Sequence, residues 1–140
     1  EWDVSSILNM DEIFDDAISF DADISKWDVS SVTTMNAMFA GATSFNRDLS
    51  EWNVSNVVDI SCMFWRAVVF NGDISKWDVS KVTTMTNMFK CAISFKQQLR
   101  SGPWVNSQAR KIEMFAGSFG SISGVQTTSM GIKPECCFAR

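Results

Sequence analysis

Histidine and tyrosine are both absent from this 140-residue sequence, and the lack of histidine limits its chemistry. Histidine is the only side chain that titrates near neutral pH without help, and it is the commonest metal ligand. It is also the most frequent general base in enzymes. We therefore expect a protein that is not an enzyme and that uses no catalytic residue, cofactor or metal ion.

Long hydrophobic runs are absent as well. No stretch of 18 apolar residues occurs, so the sequence predicts no transmembrane segment. The first residues, Glu1, Trp2 and Asp3, show neither an initiator methionine nor a signal-peptide pattern. Because the sequence begins within a repeat, we expect a processed protein or a fragment of a longer one.

The net charge of −4 is unevenly distributed along the chain. Residues 1–95 hold 14 acids and 6 bases, whereas residues 96–140 hold 2 acids and 6 bases. Nucleic-acid binding requires a basic stripe that neutralises phosphates, and the long acidic part lacks one. The charge pattern therefore excludes nucleic acid as a partner and favours a cationic protein partner or surface.

Tryptophan marks an internal repeat of 25 residues. Several other positions of the unit hold the same kind of apolar residue at the same 25-residue spacing, and we call each such set of equivalent residues a column. The clearest are Trp2, Trp27, Trp52, Trp77; Val4, Val29, Val54, Val79; Phe14, Phe39, Phe64, Phe89; Ala17, Ala42, Ala67, Ala92; and Phe20, Phe45, Phe70, Phe95. Since one unit cannot bury these side chains alone, we expect neighbouring units to stack with equivalent residues in contact.

The apolar spacing changes period within each unit, and this change predicts two elements. Ile24, Trp27 and Val29 suggest a short, half-buried strand, because the last two alternate with polar residues. The apolar spacing of three and four between Val32 and Ala42 predicts one face of a short helix. A serine precedes each helical run and is expected to cap it. These serines are Ser5, Ser30, Ser55 and Ser80.

The pattern Ile24-x-x-Trp27-x-Val29-x-x-Val32-x-x-Met35-x-x-Met38-Phe39-x-x-Ala42-x-x-Phe45 resembles the unit of BspA-like leucine-rich-repeat surface proteins. Such units occur in bacterial surface proteins and lipoproteins and in some algae and protists. The resemblance implies an α/β repeat, a right-handed parallel β solenoid of leucine-rich-repeat type with short strands and short helices. It also implies roles in adhesion and protein contact, and it transfers no site residues.

The repeat divides the chain into three regions. Residues 1–99 form four repeats, and residues 100–119 read as a degenerate fifth coil or C-terminal cap, because Trp104 follows a longer connection. Residues 120–140, rich in glycine and serine, are predicted to form an extended tail. At the other end, Trp2 and Val4 would belong to an uncovered edge, where upstream residues or another subunit would pack.

Candidate partner-binding residues lie between the buried columns of the predicted strand. They form two outward-facing rows: Lys26, Glu51, Lys76; and Asp28, Asn53, Asp78. Repeat proteins commonly bind partners on such an exposed face. The alternative is a solvated face on which neighbouring charges pair across strands.

Other polar residues are expected to be structural. The pairs Asn46-x-Asp48 and Asn71-x-Asp73, with Asp21-x-Asp23, look like turn formers whose side chains fold back onto nearby N–H groups. Six acids between Asp11 and Asp23 leave calcium binding open as an alternative, although no EF-hand spacing is present.

Four cysteines occur without a zinc-binding pattern. They are Cys62, Cys91, Cys136 and Cys137. A disulfide between Cys62 and Cys91 is not expected, because they occupy different positions in adjacent units. Cys136 and Cys137 are either bridged elsewhere or free thiols.

Taken together, the sequence predicts a non-enzymatic scaffold for protein–protein interaction or adhesion that presents a repetitive face. The alternative is a small structural or linker subunit of a large assembly, including an organellar one, docked through the open N-terminal edge and the C-terminal tail. The compartment stays open between the cell surface, which the resemblance implies, and such an assembly.

Overall fold

The computed structural model describes residues 2–125 and 134–137. Most of this chain consists of turns and coil. The regular elements are the strand β1 (Gln98–Leu99), the helix α1 (Gly102–Val105), the strand β2 (Ser121–Ile122) and a 3₁₀ helix (Pro134–Cys137). Strands β1 and β2 pair in parallel, with Gln98 opposite Ser121 and Leu99 opposite Ile122.

The predicted α/β repeat, a right-handed parallel β solenoid of leucine-rich-repeat type with short strands and short helices, is wrong. Within the described residues the only α-helix has four residues, and it lies after the four repeats. The only sheet in those residues consists of two strands of two residues each. Order instead comes from turns and from backbone hydrogen bonds between equivalent positions of successive 25-residue units.

The predicted helix is replaced by a segment that we call the arc. The arcs comprise residues 10–16, 35–41, 60–66, 85–91 and 111–117. The third and seventh residues of each arc have positive φ, as at Ala37 (φ 54°) and Gly41 (φ 68°). Left-handed residues at this spacing prevent a right-handed helix from forming. The apolar spacing of three that suggested a helix arises from turns in which Met38 N–H donates to Met35 O.

Alternate N–H groups of the first four arcs donate to the next unit instead of to their own. In the second unit, the N–H groups of Met35, Ala37 and Phe39 each lie 2.9 Å from a carbonyl oxygen of the third unit. Backbone groups inside a protein need such partners. The arcs therefore hold successive units together through backbone hydrogen bonds. In a helix, the same N–H groups would have bonded to carbonyl groups of their own segment.

The predicted strand is also absent from its expected position. Residues 24–32 form turns, because Trp27 N–H donates to Ile24 O (3.1 Å) and Val32 N–H donates to Val29 O (3.0 Å). The serines do not cap helices either, since no helix follows them. Parallel bridges instead join one residue per unit just before each arc. These bridged residues are Asn9, Thr34, Asp59, Thr84 and Arg110.

The core is built from files of equivalent side chains. Phe39, Phe64 and Phe89 stack with ring centroids 5.6 and 5.5 Å apart, and Phe45 and Phe70 continue a second, adjacent file at 6.1 Å. All five rings are fully buried. Large aromatic rings bury 150–250 Å² each, so these files supply much of the apolar burial.

The region after the four repeats extends the same stack. Arg110 bridges Thr84, and Phe115 stacks on Phe89 at 5.7 Å. The division into four repeats, a fifth coil and a tail stays a prediction. Residues 126–133 and 138–140 of the predicted tail lie outside the described residues. Among the helices of the described chain, none is both long and apolar enough to cross a membrane.

Candidate functional site

The six predicted partner-binding residues are all exposed. They lie on the two turns next to each tryptophan, at residues 23–30, where Trp27 is partly buried, and at the equivalent residues of the next two units. Trp52 and Trp77, between them, are almost completely buried. The tryptophans therefore fix the backbone from inside, while the neighbouring polar residues face outward. We call this surface the acidic face.

One row of the acidic face is held by side-chain turns. Ser30 donates both its N–H (3.0 Å) and its hydroxyl (2.6 Å) to Asp28 Oδ1. Ser55 does the same to Asn53 Oδ1, and Ser80 N–H donates to Asp78 Oδ1 at 3.0 Å. Asx turns of this kind stabilise the backbone and fix the orientation of the side chain. In Asp28 and Asp78 these bonds are accepted by Oδ1, one of the two carboxylate oxygens.

A second row of carboxylates lies beside the first. Ser25, Ser50 and Ser75 donate their N–H groups to the Oδ1 atoms of the aspartates two residues earlier. These aspartates are Asp23, Asp48 and Asp73. The turn-forming role predicted for them is confirmed, but their place on the acidic face was not predicted. The sequence does contain a signal for this placement. The motif Asp-x-Ser occurs twice in the second unit, at residues 23–25 and 28–30, so both aspartates could have been assigned to similar exposed turns.

Hydrogen bonding keeps these carboxylates ionised. Hydroxyl and then N–H bonds from the following serine lower the pKa of Asp23, Asp28, Asp73 and Asp78. For Asp48, the N–H bond from Ser50 is the larger cause of its lowered pKa. A carboxylate that accepts such bonds favours its charged form. The acidic face therefore retains its negative charge to lower pH than unbonded aspartates would.

In the sequence, each residue of the lysine and glutamate row lies between a member of one aspartate row and a member of the other. Lys76 Nζ lies 3.2 Å from Glu51 Oε1, and both side chains are largely exposed. This is the charge pairing that the alternative reading of the face anticipated. Because exposed ion pairs contribute little stability, the pair leaves both residues available for contacts.

The first members of the predicted turn-forming pairs have a different role. Asp21 and Asn46 accept hydrogen bonds from the N–H groups of Asn46 and Asn71, 25 residues further along. Asn71 accepts one from Lys96 N–H in the same way (3.0 Å). These side chains link successive units, whereas we predicted that they would fold back locally.

The acids between Asp11 and Asp23 form no described metal site. Asp11 Oδ1 accepts bonds from Thr34 Oγ1 (2.6 Å) and Asn36 N–H (2.7 Å), so it serves the stack. Asp21 pairs with Arg47 at 2.9 Å. In residues 2–125 and 134–137, no group of three or more cysteines and acids is arranged to hold a metal ion.

A disulfide joins Cys91 to Cys136, with their Cα atoms 5.1 Å apart. The sequence left the partner of Cys136 open, because nothing in the repeat indicated where the C-terminal segment lies. Cys62 is a free thiol, and burial raises its pKa, which makes it less reactive.

Stacked turn-rich units with a repeated polar face define a tandem-repeat protein. The chain belongs to the family described as Mycoplasma protein of unknown function, DUF285, whose family model matches residues 1–119. No curated protein matches the chain, and neither does any solved structure. The match covers all five arcs, and the family description assigns no activity.

Proposed function

We propose that this chain is a non-enzymatic scaffold that binds a cationic protein partner through its acidic face. The observation that carries the proposal is the double row of five aspartates and Asn53 in three successive units, oriented by serine hydrogen bonds. A partner can meet such charges without first ordering them, which lowers the entropic cost of binding. The resemblance to BspA-like surface proteins adds support for a role in protein contact.

Charge supports a basic partner over an acidic one. Residues 1–95 hold eight more acids than bases, and the carboxylates of the acidic face stay ionised because of their lowered pKa values. Complementary charge raises the association rate and fixes the orientation of a complex. Lys26 and Lys76 place positive charge beside the aspartate rows, so they would select partners whose cationic groups avoid those two positions.

The test compares two variants of equal net charge. Asp28→Asn with Asp78→Asn removes two carboxylates from the acidic face, and the turn is kept because Asn53 already forms it. Glu12→Gln with Asp15→Asn removes two exposed carboxylates from the first arc. Both variants change the net charge from −4 to −2. The probe is a fluorescent oligolysine peptide, followed by anisotropy at low salt.

We expect the first variant to weaken oligolysine binding by about threefold or more and the second to change it less. Equal weakening by both variants would show that only net charge matters and would refute the acidic face as the binding site. Adding Lys26→Gln and Lys76→Gln to the natural chain should strengthen binding, because it removes two repulsive charges.

A second candidate function is that of a structural subunit docked through its N-terminal edge. Trp2 and Leu8 are 74% and 60% exposed, and an apolar cleft beside Trp2 is lined by Phe14, Phe20 and Trp27. Exposed apolar patches of this kind often contact other proteins. A photoreactive residue placed at Leu8 or at Lys76 separates the two functions, because Lys76 belongs to the acidic face and does not line the cleft beside Trp2. Crosslinks from position 76 support the acidic face, and crosslinks from position 8 alone support edge docking.

A further inference from the structure

We infer that residues 134–137 form a thiol-reversible latch that fastens the C-terminal segment over the fifth arc. Its covalent part is the disulfide between Cys91, the last residue of the fourth arc, and Cys136. Cys91 is only 2% exposed. The latch uses residues outside the acidic face, so it does not rest on the proposed function.

Glycine at position 117 makes room for this latch. Gly117 is the last residue of the fifth arc, and its φ is +75°. A Cβ built there would overlap Cys136 Sγ and would lie 3.5 Å from the backbone of Cys91. The disulfide therefore packs directly on the corner of the fifth unit. Any larger residue at 117 would push Cys136 away.

Lys90 adds an electrostatic part to the latch. Its Nζ lies 2.5 Å from Glu113 of the fifth arc and 3.5 Å from Glu135 of the 3₁₀ helix. The hydrogen bond that Lys90 donates to the Glu113 carboxylate is the main cause of the raised pKa of Lys90, so the ammonium stays charged. Since partly exposed ion pairs hold chains weakly, the disulfide is the stronger of these two attachments.

Closing the disulfide encloses the fifth unit in a covalent loop. Cys91 and Cys136 are 45 residues apart, and the loop between them contains α1 and residues 111–117. The fifth arc receives hydrogen bonds from the fourth unit, including Cys91 N–H to Ala116 O at 2.8 Å. Opening the loop would leave the fifth unit held by those contacts, so it should fray before the inner units.

The opening step is thiol–disulfide exchange with a small thiol reductant such as dithiothreitol. A reductant thiolate attacks one sulfur of the Cys91–Cys136 bond, forms a mixed disulfide and releases the other cysteine as a thiol. The second thiol of the reductant then breaks the mixed disulfide. The protein gains two electrons and two protons as two cysteine thiols form, and the reductant is oxidised to its own disulfide.

Peptide mapping and hydrogen exchange on the full 140-residue chain test the latch. Reduction should raise the number of alkylated cysteines by two, and mapping should place Cys91 and Cys136 in one linked peptide before reduction. Cys136→Ser and Cys137→Ser variants identify which of the adjacent cysteines is linked. Amide exchange in residues 111–117 should rise about tenfold on reduction, while residues 35–41 stay unchanged.

Two glycine variants separate packing of the disulfide from backbone strain. Gly117 and Gly124 both have positive φ, but a Cβ at Gly124 would meet no atom within 4 Å. Gly117→Ala should shift the dithiothreitol equilibrium toward the reduced form by roughly tenfold or more, and Gly124→Ala by less than about twofold. Similar shifts for both variants, a Cys91 linked elsewhere, or unchanged exchange in residues 111–117 would each overturn the latch.

Discussion

The indole Nε1 of Trp77 donates a 2.9 Å hydrogen bond to the carbonyl oxygen of Leu49, which belongs to the preceding unit. The same bond joins Trp52 to Ile24 (3.2 Å) and Trp104 to Ile74 (3.1 Å). Trp77 is 1% exposed, so the bond lies away from water. The repeated tryptophan thus fills the core and also satisfies a backbone acceptor of its neighbour.

Replacing Trp77 by phenylalanine should therefore lower the free energy of unfolding by more than the loss of side-chain volume alone would. Phenylalanine keeps an aromatic ring but leaves the Leu49 carbonyl without this donor, so we expect the free energy of unfolding to fall by about 2 kcal/mol. Urea unfolding followed by circular dichroism measures the change. Trp2→Phe is the control, because Trp2 is exposed, and it should change stability by less than about 0.5 kcal/mol. A loss at Trp77 no larger than at Trp2 would contradict the role of the bond.

The phenylalanine files predict a second, larger effect. Phe64 is fully buried between Phe39 and Phe89, so Phe64→Ala would leave a cavity inside the stack. We expect a loss of about 4 kcal/mol in the free energy of unfolding. Phe119 is 57% exposed, and Phe119→Ala should cost well under about 1 kcal/mol. Denaturant unfolding of the two variants side by side gives the comparison.

The repeat spacing could be used to predict which side chains share the core, because equivalent residues of successive units meet. Phe39, Phe64 and Phe89 stack as their 25-residue spacing indicated. The secondary structure could not be predicted in the same way. A spacing of three fits a helix face, but it also fits consecutive turns that each close on an apolar residue, as at Met35 and Met38.

Residue identity also concealed the left-handed positions of the arcs. Positive φ usually signals glycine, yet Ala37, Cys62 and Asn87 adopt it, and only the seventh position holds glycine in two units. Backbone hydrogen bonds to the next unit hold these residues in the left-handed conformation. Such bonds depend on the stacking of units, so the residues adjacent in sequence do not indicate them. The acidic face was predictable in part, because Asp28 and Asp78 alternate with buried residues. The link from Cys91 to Cys136 depends on where a non-repetitive segment lies.

Acid should destabilise the chain through the aspartate–serine turns. Serine hydrogen bonds lower the pKa of Asp28 and Asp78 below the ordinary value of 3.8, so their folded-state pKa is depressed. A depressed pKa means that the turns contribute stability above pH 3.8 and lose it as pH falls through the folded value. Stability should therefore decline as pH falls below about 4.

Asparagine variants test this pH dependence. Asp28→Asn with Asp78→Asn keeps the side-chain acceptor, as Asn53 does, but removes the titrating groups. The urea midpoint of this variant should lie slightly below that of the natural chain near pH 7, because a neutral amide accepts weaker hydrogen bonds than a carboxylate, and it should fall less steeply between about pH 4 and about pH 2.5. Asp28→Ala with Asp78→Ala removes the acceptor and should lower the midpoint throughout. Equal acid sensitivity in the asparagine variant and the natural chain would rule out these two turns as a cause.

Glycine substitutions in the second arc distinguish the observed arc from the predicted helix. Ala37 has a φ of 54°, which costs an alanine roughly 1–2 kcal/mol, whereas glycine adopts this conformation freely. Part of that gain is offset because glycine is more flexible in the unfolded chain. We expect Ala37→Gly to raise the free energy of unfolding by about 0.5 kcal/mol. In a helix the same change would lower it by about 1 kcal/mol.

Ala40 supplies the matched control three residues later in the same arc. It is not among the residues with positive φ, so glycine there relieves no strain. Ala40 is also buried, and its methyl group would be lost from the packed interior. Ala40→Gly should therefore destabilise the chain by about 1 kcal/mol. If the arc is as observed, urea unfolding should show a higher free energy of unfolding for Ala37→Gly and a lower one for Ala40→Gly. A lower free energy of unfolding for both variants would favour a helical segment in solution.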